Sequence, residues 1–211
     1  MASENPAGEG RAARRARRGG PKDLAWTLRG RGSDDAGQQP ADNAAAGASG
    51  PLIRRAQTRD LAPVVALRAL MFAAMGTSTE KVSANEWQLN ARRWFQVNLK
   101  NPAVNVTVAE VNGTAVACAV GEVVDRTPSP GNPTGKVGVL GNVATFPEHR
   151  MTGLGQGCVD AVMEWFREST AVTSVELFAT PDGRRRYEAY GFTEHEFPQM
   201  RLTIDRTPGP G

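Results

Sequence analysis

Cysteine and histidine are nearly absent, with two of each in 211 residues. One pair of cysteines cannot staple a scaffold, and Cys118 and Cys158 both fall in apolar stretches, so a reducing, cytoplasmic setting is expected. His149 and His195 have no cysteine or paired acid at ligand spacing, and no metal is expected. No run approaches the ~20 apolar residues needed to span a bilayer. The first residues lack the apolar core of a signal peptide, and no membrane partner is expected. Net charge is also small, at +3. Of 25 Lys+Arg and 22 Asp+Glu, 8 and 6 lie in residues 1–50, which leaves the remainder almost neutral. A dedicated nucleic-acid binder is usually more basic, so a nucleic-acid partner is not expected.

Large apolar side chains are scarce in residues 1–50, where only Leu24, Trp26 and Leu28 follow Met1. Such a segment cannot offset an ordering cost of ~1–2 kcal/mol per residue for the backbone alone, and it is expected to be disordered. Its run RAARRARR, residues 11–18, has the chemistry to grip nucleic acid or an acidic membrane surface; the plainer reading is a solubilising tail. The expected organisation is a tail at 1–50, one domain at 51–206 and a flexible end at 207–211.

From Leu52 the pattern changes. Leu52 and Ile53 read as a short strand; Asp60 is placed to cap a helix with Pro63 in its first turn and Leu61, Val64, Val65, Arg68, Leu70, Met71 and Ala74 along its apolar stripe. Ser83 and Glu86 form a capping-box pattern ahead of a helix carrying Trp87, Ala91, Trp94, Phe95 and Leu99, which Pro102 stops; the polar segment 76–82 links the two helices. Val104, Val106 and Val108 alternate as a strand, Asn112-Gly113 turns it into a second over 114–124, and 137–146 is a third. Pro128, Pro130 and Pro133 make 126–136 a loop. A long helix over 153–169 buries Leu154, Cys158, Val162, Trp165 and Phe166; a strand at 173–180, a short helix at 183–190 and a strand pair over 192–204 complete the chain. This order implies a mixed α/β layer fold, not a doubly wound sheet.

The most informative stretch is 142–160, NVATFPEHRMTGLGQGCVD. A strand ends at Phe146-Pro147, and Arg150-Met151-Thr152-Gly153-Leu154-Gly155 opens the long helix, whose first turn presents unpaired N–H groups and partial positive charge. Gly153, Gly155 and Gly157 keep side chains away from an anion, no carboxylate lies between Arg150 and Asp160, and Arg150 adds a cation. These features predict a pyrophosphate site. No Gly-Lys-Ser/Thr closes a Walker loop, and the dinucleotide glycine pattern would follow its strand more directly.

These residues resemble the GNAT superfamily of acetyl-CoA-dependent N-acetyltransferases. Its hallmark Gln/Arg-x-x-Gly-x-Gly/Ala at the start of the central helix is matched by Arg150 to Gly155. Its Tyr followed by Gly-Phe is matched by Tyr187 and Gly191-Phe192. The resemblance spans about 53–204 and implies a GNAT-like fold, a central, mostly antiparallel, splayed sheet flanked by helices. It implies that Val143, Ala144 and Thr145 offer backbone groups to the pantetheine arm of acetyl-CoA. Arg150, Met151, Thr152, Gly153, Leu154, Gly155 and Gln156 would cradle the pyrophosphate, and Tyr187 would meet the sulfur. Many relatives carry Asn seven residues before that Tyr; Thr180 stands here, which argues against the protein N-terminal acetylating branch. Tyr187 also reads as a packed aromatic, and Tyr190 as a core residue facing elsewhere.

The implied activity is acyl-CoA-dependent N-acyltransfer, with acetyl-CoA as co-substrate and direct attack by a primary amine in a ternary complex. An alkyl amine is neutral in only roughly a thousandth of molecules at pH 7, so a base is useful. Glu122 is the first candidate, Asp125 and Glu80 are others, and each also reads as a surface charge; Asn142 is placed to position the amine or a water. The first two helices carry Met71, Phe72, Met75, Trp87 and Trp94, which suggests an apolar-walled pocket for a small-molecule amine. The competing reading is a non-catalytic acetyl-CoA-binding domain acting as a sensor or in assembly. A homodimer is left open.

Overall fold

Asn112 and Gly113 have φ of 50° and 79°, the left-handed pair that a two-residue hairpin turn demands. They join Val104–Val111 (β2) to Thr114–Asp125 (β3) at the centre of a five-stranded sheet. Leu52–Arg55 (β1) pairs antiparallel with β2, and Lys136–Thr145 (β4) pairs antiparallel with β3. Val175–Glu176 (β5) lies parallel to β4 and ends the order β1-β2-β3-β4-β5. The sheet is therefore mixed and mostly antiparallel. The computed structural model describes residues 50–204 apart from Pro198. The expected tail before Gly50, the C-terminal end 207–211 and the last two residues of the expected domain lie outside the described residues.

The helices are Leu61–Ala74 (α1), Thr79–Ser83 (α2), Asn85–Asn98 (α3), Leu154–Ser169 (α4) and Pro181–Ala189 (α5). One core cluster gathers Leu61, Val64 and Leu67 of α1 and Phe95 of α3 with Val104, Val106 and Val108 of β2. The other gathers Leu154, Cys158, Val159, Val162, Trp165 and Phe166 of α4 with Ala109, Ala117 and Ala119. With apolar partners on both faces, residues 104–109 of β2 are buried throughout, although their sequence alternates. The hydroxyl of buried Thr107 finds Asn105 Oδ1 at 2.9 Å. Helix α4 sits so close to the sheet that a Cβ on Gly121 would fall 2.6 Å from Val162 and 2.9 Å from Trp165. In α1 the deepest residue is Leu67, while Leu70 and Met71 are half-buried.

Several local expectations are replaced. Asp60 stands at the N-cap of α1 but bonds nothing in that helix. Its carboxylate takes two nitrogens of Arg54, at 2.7 and 2.9 Å, and the Gln57 N–H at 2.7 Å. Arg54 in turn grips Glu110 of β2. Ser83 is not a capping-box residue: it ends α2, donating to Glu80 O at 3.2 Å, and Ala84 is the N-cap of α3. Helix α2 arises in the expected linker because Ser78 caps it, and Trp87 Nε1 and Gln88 Nε2 then bond its last carbonyls. Helix α3 stops at Asn98, ahead of Pro102.

The strand expected at 173–180 contracts to Val175–Glu176, and none forms among the described residues of 192–204. Met200, Leu202 and Ile204 alternate as a strand would, yet all three are exposed. Alternation makes a strand only where a neighbour supplies the hydrogen bonds.

Candidate functional site

After β4 the chain makes a 3-10 turn at Pro147–His149 and then bends sharply, with Met151 at φ 62° and Gly153 at φ 81°. Thr152 Oγ1 donates to His149 O at 2.6 Å, and Arg150 Nε donates to Thr145 O at 3.3 Å, tying the loop to the end of β4. The first bond inside α4 runs from Gly157 N to Gly153 O at 2.9 Å. The N–H groups of Leu154, Gly155 and Gln156 therefore precede the helical ladder. No acidic residue occupies this turn.

The glycines divide their work between an open site and close packing. A Cβ on Gly153 would meet nothing within 4 Å, whereas one on Gly155 would fall 2.6 Å from Thr145 Oγ1 and one on Gly157 3.2 Å from Ile53. Gly153 alone borders open space; Gly155 and Gly157 let α4 approach the sheet. Leu154 points into the core, so only its backbone is available to a ligand. Exposed amides, open room above Gly153, the Arg150 cation and the lack of acid fit a pyrophosphate.

Strands β4 and β5 pair only at Gly138–Val175 and Val139–Glu176. Beyond Leu140, β4 keeps its β3 partner but has no strand on its other edge among the described residues. Val143, Ala144 and Thr145 lie in this stretch, which leads directly to the α4 turn. The β3–β4 register shifts between Cys118 and Val120, and Asn142, at φ 50°, takes up the extra residue.

At that irregularity β4 reaches a cavity of about 730 Å³. Arg68 and Phe72 of α1, Trp87 and Trp94 of α3, Glu122 of β3 and Asn142 of β4 line it, with Thr77, Lys81 and Asn90 among the polar residues around them. Phe72 and Trp87 meet edge to face at 5.7 Å. Arg68 lies 5.0 Å from the Phe72 ring centre, and its Nη1 donates to Asn142 Oδ1 at 3.2 Å. Burial pushes the Glu122 carboxyl above the ordinary glutamate range, and the Arg68 charge pulls it partly back. Burial likewise lowers Arg68, with Glu122 opposing.

Of the three acids considered as a base, only Glu122 lines the cavity. Asp125 pairs with Lys136 at 2.7 Å on the surface, and Glu80 is exposed on α2. Met75 is exposed and Met71 packs against the core, so neither is a pocket wall. Arg68, which sequence reading counted in the apolar stripe of α1 and gave no place in the site, is the largest omission. Its one signal was a cation interrupting the apolar stripe of α1.

Tyr187 is half-buried on α5, edge to face with Phe192 at 6.0 Å, and burial raises its pKa. Thr180 accepts from Gly183 N at 3.2 Å and caps α5. Tyr190 is more than a core aromatic: its ring packs beside α4 while its hydroxyl donates to Asp160 Oδ1 at 2.6 Å and receives Gln156 Nε2. Cys118 and Cys158 are free and buried, and burial pushes both thiols well up, Cys158 to about 12, so neither is a thiolate at neutral pH.

Residues 69–192 match the model of the Acetyltransferase (GNAT) family. No curated protein matches the chain. A predicted acetyltransferase from Clostridium acetobutylicum, solved with acetyl-CoA, is 25% identical over 72% of this chain and 96% of its own, with a TM-score of 0.63. A GCN5-related N-acetyltransferase from Ralstonia eutropha is 25% identical over 72% of this chain and 99% of its own, with a TM-score of 0.64. Glucosamine-6-phosphate N-acetyltransferase from Arabidopsis thaliana is 19% identical over 74% and 100%, with a TM-score of 0.58, a likeness of fold alone. No helix among the described residues is long and apolar enough to cross a membrane.

Proposed function

The chain belongs to the GNAT acetyltransferase family, and from that premise we propose that it moves the acetyl group of acetyl-CoA to the primary amine of a small molecule held in the cavity between α1, α3 and the β3–β4 pair. The observation that carries this reading is that the Glu122 carboxylate and the irregular turn of β4 at Asn142 share one cavity, immediately before the open stretch 143–145 and the α4 turn. The domain responsible is proposed to span residues 51–206.

Acetyl-CoA supplies an acyl group already activated as a thioester. The amides of Gly153 to Gln156, with Arg150, hold its pyrophosphate. The free edge of β4 at Val143, Ala144 and Thr145 pairs with its pantetheine arm as an added strand would, and offers N–H donors where carbonyl charge develops. Glu122 accepts the proton of the ammonium, which is almost fully charged in water at neutral pH. Burial raises its pKa, which makes it a stronger base than an ordinary carboxylate. Tyr187, kept protonated by its raised pKa, donates from its hydroxyl to the departing sulfur. The aromatic wall of Phe72, Trp87 and Trp94 keeps water from the reacting groups and favours an acceptor with an apolar body.

Free-thiol release from acetyl-CoA across a panel of primary amines tests the proposal. Release that requires a small amine, with the N-acetyl product detected, is the expected result. Turnover confined to peptide or protein N-termini would replace the small-molecule reading.

A further inference from the structure

Arg68 is an unusual lining for a pocket meant only for an amine, because a guanidinium repels the ammonium form of that substrate. Its side chain is half-buried, and no carboxylate among the described residues lies within ion-pair distance of it. A guanidinium carries five donors in a planar fork. One of these is spent on Asn142 Oδ1. Among the described residues no side-chain nitrogen or oxygen is both fully buried and without a partner, so Arg68 Nε and Nη2, which have no partner there, keep some exposure, and Arg68 itself lines the cavity. The guanidinium is held in place by the Asn142 bond and by Phe72 at 5.0 Å beneath it. Lys81 adds a second, exposed cation to the same lining, against the single acid Glu122. A cation fixed at a cavity wall with free, forked donors is the arrangement that recognises a planar or tetrahedral anion.

We propose that the acceptor amine carries an anionic group, a carboxylate or a phosphate, which Arg68 binds while Glu122 receives the ammonium. This rests on the acetyl-transfer reading above and narrows its substrate to an amine that is zwitterionic in solution. The two charged ends then meet residues of opposite sign in one cavity, and the apolar body lies against Trp87 and Trp94. A neutral-bodied amine would instead leave the Arg68 donors to water, with nothing to offset the repulsion between guanidinium and ammonium.

The test compares matched acceptors with acetyl-CoA and the full chain, each kcat/KM normalised to its neutral-amine fraction. Phenylalanine is set against phenylalaninamide and phenethylamine for a carboxylate, and O-phosphoethanolamine against ethanolamine for a phosphate. The anionic member of at least one set should be preferred by ~10–100-fold, the strength of a charged hydrogen-bonding pair, and the set showing it identifies the anion. Arg68→Gln should bring that ratio close to one, and Arg68→Lys, which keeps the charge and loses the fork, should retain part of it. If Arg68→Gln does not fold, the wild-type ratios and Arg68→Lys carry the test. Equal or better use of the neutral members, or a preference that survives Arg68→Gln, would overturn the assignment. No turnover of any amine would instead remove the acetyl-transfer reading beneath it.

Discussion

Arg68 Nη1 and Asn142 Oδ1 meet at 3.2 Å, joining α1 to β4 at the residue where the strand turns left-handed. That bond links the two sides of the cavity. It sets the guanidinium near Glu122 and positions the irregular turn of β4 just ahead of the free edge at Val143 to Thr145. A sheet whose fourth strand, among the described residues, keeps only its β3 neighbour beyond Leu140 thus offers one edge to an extended ligand and one face to a compact one.

Replacing Glu122 with Gln should lower kcat by ~10²–10⁴ while making the fold more stable at neutral pH. The carboxyl pKa is raised in the folded chain by burial, so its ionised form is penalised there. The penalty is present above the unfolded pKa and vanishes as pH falls below it. Melting curves should show a higher Tm for E122Q at pH 7 and convergence with wild type near pH 4. The acid limb of the wild-type kcat/KM profile should lie above the ordinary glutamate value, and higher still in Arg68→Gln, which lacks the cation that pulls Glu122 down.

Gly153→Glu should greatly weaken acetyl-CoA binding, and Gly153→Ala should not. Both carry a Cβ at φ 81° and share a strain of ~1–2 kcal/mol, but only Glu sets a carboxylate where the pyrophosphate is expected. Calorimetric titration of the two variants separates charge from strain; equal affinities would remove the α4 turn as the phosphate site.

Much of the scaffold was legible because its signals are local. Asn112-Gly113 specifies its own turn, and the glycines that open α4 mark the start of a helix able to face an anion. The missing parts depend on neighbours. The alternation of Met200, Leu202 and Ile204 carries no information about a pairing partner, and Asp60 left its helix because Arg54, on β1, competes for it. At the site, Glu122 could be nominated from its place in a strand. Its distinction from Asp125 required knowing which residue faces the cavity and which meets Lys136. The separate duties of Gly153 and Gly155 depend on Thr145, ten residues before Gly155 in sequence but against it in space.

Asp60→Asn should destabilise the chain through the loss of a buried ion pair, an effect of ~3–5 kcal/mol when a partner is left alone. The lower end is expected, since Arg54 keeps Glu110. Burial alone would raise the Asp60 pKa, but the bonds from Arg54 and the Gln57 N–H outweigh it and hold the carboxyl below its ordinary value. Its stabilisation is therefore present above the unfolded pKa and lost as pH falls through the lower folded one. Urea melts between pH 7 and pH 2 should show a shallower acid loss in D60N than in wild type.

Tyr187→Phe should reduce kcat towards the lower end of the ~10²–10⁴ range for general acid catalysis, since a thiolate leaves tolerably unaided. The hydroxyl has no hydrogen-bond partner among the described residues, and the ring contact with Phe192 survives the change, so Tm should hold. A fallen Tm with unchanged turnover per folded molecule would make Tyr187 a packing residue only.

The most direct measurement mixes protein and acetyl-CoA before adding amine, following free thiol and the intact mass of the protein in one sample. Direct transfer predicts no thiol release and no acetylated protein until a small amine is added, then thiol and N-acetyl amine in equal amounts. Tight acetyl-CoA binding with thiol release that no amine accelerates would make the domain a binder, and acetylated protein formed before the amine is added would contradict direct attack.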